Sequence, residues 1–240
     1  MLPTVEPAYG LARTAFWPAM HFGMRWTVEG GHLIPVRGPV LIASNHVSYL
    51  DPLVLAYVAN RRHRNVRFLA KAELFDHRAL GALLRATRQI PVQRETAGAA
   101  GSLDAAVDAL EHGECVVVFP EGTISLDLDP LPGKSGVARL AQQTGVRVTP
   151  VGLWGAQRIL FKGRKPSWRA GVAESVVVGA PMAVAPGEDV VAATDRVMGA
   201  IASSVARARM LYPQRPAPGD DDWWVRTPQS AFSHTTRSRA

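Results

Sequence analysis

Short apolar runs alternate with helical patterns along most of the chain, and this alternation constrains the fold more than any other feature. The runs that favour β-strands lie at residues 39–44, 66–70, 88–93, 115–119, 147–153 and 172–178. Helical patterns lie at residues 52–60, 76–86, 101–112, 135–144 and 188–211. Strands and helices that alternate in this way pack as a sheet with helices on its faces. We therefore predict one α/β domain with a mixed, mostly parallel sheet flanked by helices.

The N-terminal segment, residues 1–30, differs from the alternating body, which we place at residues 31–212. Aromatic and basic side chains are mixed over residues 9–28, where we expect a helix with a kink at Pro18. This composition favours either a helix in a membrane interface or a helix that covers the sheet. The two alternatives are compatible, because one face of the helix can cover the sheet while the opposite face lies in the membrane interface.

The C-terminal segment, residues 213–240, changes character again. Prolines, a run of aspartates and a polar end predict a mobile tail. Trp223 and Trp224 are the exception, since two adjacent indoles favour docking, either on the body of the protein or on lipid.

The balance of charge is basic, with 27 Lys and Arg against 20 Asp and Glu and a net charge of +7. Such a balance favours anionic partners, whether nucleic acid, anionic lipid or a phosphorylated small molecule. The densest basic cluster, residues 61–67, is interpreted either as a solvated loop or as a contact surface for phospholipid headgroups or for the acidic acyl donor. No aromatic-interleaved motif accompanies the charge, so we do not expect a nucleic-acid partner.

The cysteine and histidine content limits the cellular compartment and the metal sites that we expect for this chain. The chain has one cysteine, Cys115, inside an apolar run, so we expect it in the core, without a disulfide and in a reducing compartment. The histidines show no metal-ligand spacing, and we predict no metal site. No signal peptide and no run of 18 apolar residues is evident, so we expect no membrane-spanning helix.

His46 and Asp51 lie at the junction between a predicted apolar strand and a predicted helix, which carries Pro52 in its first turn. A carboxylate bonded to one ring nitrogen fixes the tautomer of a histidine and leaves the other nitrogen able to accept a proton, which suits a general base acting on an alcohol. The two side chains can meet if His46 precedes the helix, since five residues within a helix would place them on different faces. The alternative is that Asp51, or Ser48 with Asp51 in a capping box, serves the helix start and the histidine is unrelated.

Two further groups of polar residues follow predicted strand ends. Lys71 and Arg94 each follow a strand, and together they would make a cationic pocket suited to a phosphate, although each is also consistent with a surface charge. Glu121, Gly122 and Thr123 follow the strand at 115–119, where a glycine-containing turn places N–H groups at the carboxyl edge of the sheet. The sequence Gly-Lys-Ser at 133–135 ends like a P-loop, but Leu128 replaces the required first glycine and we reject that interpretation.

Taken together and in order, these motifs resemble the 1-acyl-sn-glycerol-3-phosphate acyltransferase family of glycerolipid acyltransferases. The four matching blocks are His46-x4-Asp51, the segment from Lys71-x-Glu73-Leu74 to Arg94, Phe119-Pro120-Glu121-Gly122-Thr123 and Val148-Thr149-Pro150-Val151. They cover roughly residues 40 to 155. Two positions depart from the family pattern: Ile124 stands where the third block has an arginine, and Arg88 where the second block begins with a glycine. Both departures concern the acceptor pocket and put the identity of the acceptor in doubt.

The resemblance implies transfer of a fatty acyl group from acyl-CoA or acyl carrier protein to the hydroxyl of a lysophosphatidic acid-type acceptor, with no cofactor. His46 would be the general base and Asp51 its orienting partner, while Lys71, Arg94, Glu121, Gly122 and Thr123 would bind the substrate. Because a carboxylate repels a phosphate, Glu121 would position Arg94 or an acceptor hydroxyl. The alternatives are another acceptor, such as glycerol 3-phosphate, a different lysophospholipid or a glycolipid, or a non-catalytic lipid- or acyl-CoA-binding protein of the same fold. Amphiphilic substrates imply a peripheral protein on the cytoplasmic face of the cell membrane, in contact with the phospholipid surface.

Overall fold

The centre of the fold is a seven-stranded mixed sheet with helices packed on both faces, seen in a computed structural model that describes residues 6–93, 98–216, 218 and 221–225. Its strands are β1 (Met24–Glu29), β2 (Val40–Ser44), β3 (Val66–Lys71), β4 (Ile90–Val92), β5 (Cys115–Val118), β6 (Val148–Trp154) and β7 (Val172–Val178). The helices are α1 (Pro7–Gly23), α2 (Asp51–Asn60), α3 (Arg78–Ala86), α4 (Gly98–Glu111), α5 (Gly136–Thr144) and α6 (Val190–Leu211). The α/β architecture predicted from the alternation is confirmed.

The strand order is β1-β7-β6-β2-β5-β3-β4, and every neighbouring pair is parallel except β6 and β7. The central strands β2 and β5 are buried along their whole length, as expected of strands covered on both faces. Helices α1 and α2 pack on one face, and α4, α5 and α6 pack on the other. Because β2, β5 and β3 are adjacent and parallel, the polar segments that follow them meet at one edge of the sheet.

The N-terminal helix is shorter than the sequence pattern predicted. The helix expected over residues 9–28 ends at Gly23, and the next six residues form β1, which pairs with β7 from Met24↔Val172 to Glu29↔Val177. The prediction was wrong there because Trp26 and Val28 continue the apolar pattern of the helix, while the strand depends on a partner almost 150 residues away in the sequence.

Helix α1 covers the sheet, as one of its two interpretations expected. The buried hydroxyl of Tyr9 accepts a hydrogen bond from the Val66 N–H at 3.0 Å, and burial raises the pKa of this phenol to about 12. His21 Nδ1 lies 2.8 Å from the Tyr57 hydroxyl of α2. The opposite face of α1 exposes apolar side chains, among them Phe22. The membrane interpretation therefore stays a prediction for that face.

Two arginines of the basic cluster at residues 61–67 are buried in the protein. Arg64 is buried and donates to the carbonyl oxygens of Gly38 and Gly113, at 2.7 and 2.8 Å. Arg67 is also buried and forms ion pairs with Glu6 and Glu114. Both interpretations made from the sequence, a solvated loop and a contact surface for an anionic partner, are wrong for these two arginines. Their guanidinium groups bind carbonyl oxygens and carboxylates of the protein itself.

Part of the C-terminal segment packs on the body of the protein, while the mobility expected for residues 213–240 stays a prediction. Trp224 is buried in a cluster with Trp154 and Tyr212, and the Arg158 guanidinium carbon lies 3.9 Å from the centroid of its ring. Of the two docking alternatives for the tryptophans, the structure shows the body for Trp224. Residues 226–240 lie outside the described residues. None of the helices in the described ranges has the length and apolarity needed to cross a bilayer.

We expect Arg67→Met to destabilise the protein by about 1–3 kcal/mol, because it removes the buried partner of Glu6 and Glu114 and leaves these carboxylates paired with the exposed Arg88. Arg61→Met is the matched control, since Arg61 belongs to the same cluster but is exposed, and its free energy of unfolding should stay within about 0.5 kcal/mol of the wild-type value. Urea denaturation measures both. Equal effects of the two substitutions would contradict the structural role of Arg67.

Candidate active site

His46 and Asp51 meet at the carboxyl edge of β2, in the connection to α2. The Nδ1 atom of His46 lies 2.8 Å from Oδ2 of Asp51, and the same oxygen accepts the backbone N–H groups of Val47 and Ser48 at 2.7 and 2.8 Å. Because an ionised carboxylate accepts hydrogen bonds and does not donate them, this contact places the proton of the neutral imidazole on Nδ1 and leaves Nε2 as an acceptor. His46 precedes the helix, which is the condition under which the sequence predicted that the two side chains could meet.

Asp51 also takes part in the helix start, so the structural and the catalytic interpretations of this residue are compatible. Its carboxylate returns to the Ser48 N–H, which is half of a capping box. The other half is absent at this site: Ser48 Oγ accepts from the Leu50 N–H at 3.1 Å and lies 2.7 Å from the Leu160 carbonyl oxygen, to which it donates. The helix start therefore holds Asp51 in the orientation that contacts the imidazole.

The backbone and ring of His46 are held by the turn that follows β5. The His46 N–H donates to Glu121 Oε1 at 2.9 Å, and the His46 carbonyl accepts from the Ser125 N–H at 2.8 Å. The imidazole stacks on the Phe119 ring with a centroid separation of 4.2 Å and an interplanar angle of 20°. The first and third sequence blocks thus form one rigid unit around the histidine.

Glu121 acts on the backbone. Its Oε1 accepts from His46, its Oε2 accepts from the Leu131 N–H at 3.0 Å, and the side chain does not line the adjacent cavity. Burial raises the pKa of this carboxyl to about 7, although the two N–H donors and the nearby imidazole lower it. The contact with the acceptor inferred from the resemblance stays a prediction, and the geometry gives Glu121 a positioning role for His46.

A cavity of about 720 Å³ lies beside the imidazole. Its walls are mostly apolar and come from one face of α1, from α2, from α3 and from β3. His46, Gly122 and Thr123 line it, and Lys71 at the end of β3 contributes a cation. Of the residues predicted from the sequence, Arg94 lies outside the described residues. The arrangement offers an apolar compartment, a base and a cation at one sheet edge.

The sequence profile of a family described as Acyltransferase matches residues 25–154, more than half of the 240 residues, and so covers the β2–α2 connection, the turn after β5 and β6. This chain belongs to the acyltransferase family.

Relatives of this acyltransferase carry names that agree with the family. A 1-acyl-sn-glycerol-3-phosphate acyltransferase of Chlamydomonas reinhardtii is 29% identical over 72% of this chain and 51% of its own length. One of Bacillus subtilis is 29% identical over 54% of this chain and 63% of its own length, and the lyso-ornithine lipid O-acyltransferase of Rhizobium meliloti is 38% identical over 43% of this chain and 33% of its own. The chain thus spans at most about two thirds of the length of these relatives.

A solved structure shares the fold of this acyltransferase. The crystal structure of the 1-acyl-sn-glycerophosphate acyltransferase PlsC from Thermotoga maritima superposes with a TM-score of 0.61 at 26% identity, covering 90% of this chain and 81% of that one. The likeness extends beyond the matched profile, since 90% of this chain is more than the length of residues 25–154.

The turn after β5 in this acyltransferase contains a lysine that sequence reasoning missed. Gly122 has a φ of +68°, and a Cβ placed on it would lie 3.3 Å from Cε and 3.5 Å from Nζ of Lys134, so this side chain lies along the turn. The Lys134 N–H donates to the Pro120 carbonyl at 2.9 Å. Ile124, at the position where the family has an arginine, is buried in the cavity wall. The Gly-Lys-Ser sequence at 133–135 was the available signal, although it does not complete the P-loop pattern.

The pH dependence of stability should report the buried carboxyl of Glu121. The folded-state pKa of about 7 lies above the ordinary value of 4.5, so the contribution to stability is fully present below pH 4.5 and is lost as pH rises towards 7. Every other titrating group is common to Glu121→Gln and wild type, so the difference in their free energies of unfolding reports Glu121. The free energy of unfolding of wild type should therefore fall relative to the variant, by about 3 kcal/mol, between pH 4.5 and pH 8.

Urea denaturation of both proteins across that range measures the difference. A difference that is independent of pH would contradict the raised pKa of Glu121. The opposite slope would show that the two N–H donors outweigh burial.

Proposed function

We propose that this acyltransferase moves a fatty acyl group from an acyl thioester, acyl-CoA or acyl carrier protein, to the hydroxyl of a lysophosphatidic acid-type acceptor. The observation that carries the proposal is the Asp51-held imidazole of His46 in the wall of a mostly apolar cavity of about 720 Å³. The names of the relatives support the acceptor class. The apolar walls suit a fatty acyl chain, because burying methylene groups there removes them from water.

The reaction needs one proton to move twice. As the acceptor oxygen attacks the thioester carbonyl, His46 Nε2 takes the hydroxyl proton, and Asp51 stabilises the imidazolium through Nδ1. The tetrahedral intermediate then expels the thiolate, which takes the proton from His46. The products are the ester and the free thiol, and the base returns to its starting state. No acyl-enzyme is required, since the acceptor oxygen is the nucleophile.

Lysines around the imidazole would bind the phosphate of the acceptor. Lys71 lines the cavity, and Lys134 lies along the Gly122 turn. Neither forms an ion pair with a carboxylate within the described residues, so both ammonium groups can take an anion. We assign to Lys134 the role that the arginine has in the family pattern and that Ile124 cannot fill. Arg94 is retained as a predicted phosphate ligand.

The membrane interface is the proposed site of action, on the cytoplasmic face, because donor and acceptor are both amphiphiles. Helix α1 exposes Leu11 and Phe22 outside the cavity, while Phe16 and Trp17 are partly exposed and line it. A helix of this kind can lie in the interface with its apolar residues among the headgroups. An acyl chain could then enter the cavity beside the helix.

A different lysolipid acceptor is the second candidate function. Two observations favour it: Ile124 replaces the family's arginine, and one relative is a lyso-ornithine lipid O-acyltransferase. The purified protein, one radiolabelled acyl-CoA and a panel of acceptors separate the two. Preference for lysophosphatidic acid supports the main proposal, and preference for a lysolipid without a phosphate supports the second.

His46→Ala should lower the rate of acyl transfer by about 10²–10⁴-fold, since it removes the general base. Asp51→Asn should lower kcat too, because an amide can present an N–H to Nδ1 and favour the wrong tautomer. His32→Ala, at an exposed histidine outside the cavity, is the control and should keep full activity. A folded His46→Ala protein with the wild-type rate would exclude His46 as the base, and a wild-type rate no higher than the rate without protein would favour a non-catalytic binding protein.

Lys134→Met should raise the KM for a phosphate-bearing acceptor by about 10-fold or more, with a smaller change in kcat, because it removes one charge-assisted hydrogen bond. Lys134→Arg should recover most of the loss. Arg139→Met, an exposed cation that does not line the cavity, is the control. Unchanged KM in Lys134→Met, together with a normal wild-type rate, would remove Lys134 from the acceptor site.

A further inference from the structure

A basic loop at residues 162–169, between the turn at Ala156–Arg158 and β7, is the exposed cationic surface next to the cavity. It carries Lys162, Arg164, Lys165 and Arg169 without an acidic residue. Trp168 is 75% exposed, although an indole of this size is ordinarily largely buried. Exposure of an aromatic ring among cations requires an explanation.

The loop connects the mouth of the cavity to the end of α1. Lys162 lines the cavity, and the carbonyl of Leu160 accepts from the N–H of Tyr49, three residues after His46, at 3.3 Å. At its other end, the Gly171 N–H donates to the carbonyl of Gly23, the last residue of α1, at 2.7 Å. The loop therefore lies beside the exposed Phe22 in the last turn of α1.

The fold holds the loop and leaves most of its charge unpaired. The Ser167 N–H donates to the Ile159 carbonyl at 2.8 Å, which closes the loop on its own base. Arg164 pairs with Asp221 and lies over the Trp223 ring, so its charge is partly neutralised. Lys162, Lys165 and Arg169 make no ion pair with the described residues. Three cations and an indole thus face outward at this site.

We propose that residues 162–169 bind the headgroups of anionic lipid and dock the cavity mouth on the membrane surface. The cations would contact lipid phosphates, and the Trp168 ring would lie at headgroup depth, where indoles are favoured. This inference deepens the proposed function and rests on it for the choice of a membrane as partner. The proposal assigns the basic membrane contact to residues 162–169 instead of residues 61–67, where Arg64 and Arg67 are buried.

Coenzyme A is the other polyanion that could meet this loop. Its binding would require Trp168 or the cations to converge on a compact ligand, whereas the loop runs from Lys162 in the cavity lining to the last turn of α1, which exposes Phe22. A membrane contacts both elements at once. We therefore commit to lipid and make coenzyme A an outcome of the test.

The experiment compares binding of the full chain to vesicles of phosphatidylcholine with or without 30 mol% phosphatidylglycerol. Lys165→Gln/Arg169→Gln should weaken binding to the anionic vesicles by about 30-fold and leave the weak binding to neutral vesicles unchanged. Trp168→Ala should weaken both. Lys162 is left intact because it lines the cavity. The control is Arg139→Gln/Arg147→Gln, which removes two exposed cations, one from α5 and one from the residue before β6, neither of which lines the cavity.

A second readout separates docking from catalysis and from coenzyme A binding. With a short-chain donor and acceptor below their critical micelle concentrations, Lys165→Gln/Arg169→Gln should keep the wild-type rate and KM for the donor. A raised donor KM with unchanged vesicle binding would assign the loop to coenzyme A and overturn the proposal. Wild-type vesicle binding by the variant, an equal loss in the control, or no binding by the wild-type chain would also overturn it.

Failure of the proposed function looks different. In that case the wild-type chain would transfer no acyl group to any acceptor, while the loop variants still lost binding to anionic vesicles.

Discussion

The site depends on one carboxylate oxygen. Asp51 Oδ2 accepts the imidazole of His46 and the backbone N–H groups of two residues between them, all within 2.8 Å. A buried carboxylate is costly unless it is hydrogen-bonded, and here the donors that stabilise it are also the groups that it has to position. The tautomer of His46, the path of the chain from β2 to α2 and the start of the helix therefore follow from the same contact.

A second buried carboxyl group, that of Glu121, connects the segment after β2 to the segment after the neighbouring strand β5. Glu121 joins the backbone of His46 to that of Leu131, and the Phe119 ring lies against the imidazole. The third block of the family pattern is thereby partly a support for the first. This division is compatible with the proposed phosphate site, since the Glu121 side chain is directed to backbone N–H groups and does not line the cavity.

Arginine and lysine are used differently in this chain. Arg64 and Arg67 are buried and join backbone or carboxylate groups, which suits a rigid guanidinium with several donors. Of the four lysines, Lys71 and Lys162 line the cavity and Lys134 lies along the Gly122 turn. Net charge therefore could not locate the proposed anion-binding residues, because part of the basic charge, that of Arg64 and Arg67, is buried.

The sequence by itself determined the fold class and six of the seven strands, because these depend on local periodicity. It left the contact between His46 and Asp51 as one of two alternatives, and only the family resemblance implied that Lys71, Gly122 and Thr123 share a site with them. The division of the chain at residues 30 and 212, the role of Arg94 and the identity of the acceptor stay predictions.

Only the tertiary structure decided the features that join distant segments. β1 exists because β7 pairs with it, Arg67 is buried because Glu6 and Glu114 converge on it, and Trp224 docks on Arg158. Lys134 reaches the Gly122 turn, and the basic loop reaches the end of α1, through contacts that no local pattern encodes. The physical reason is common to all of them: a charge or an apolar ring in the sequence carries no sign of its partner until the chain has folded.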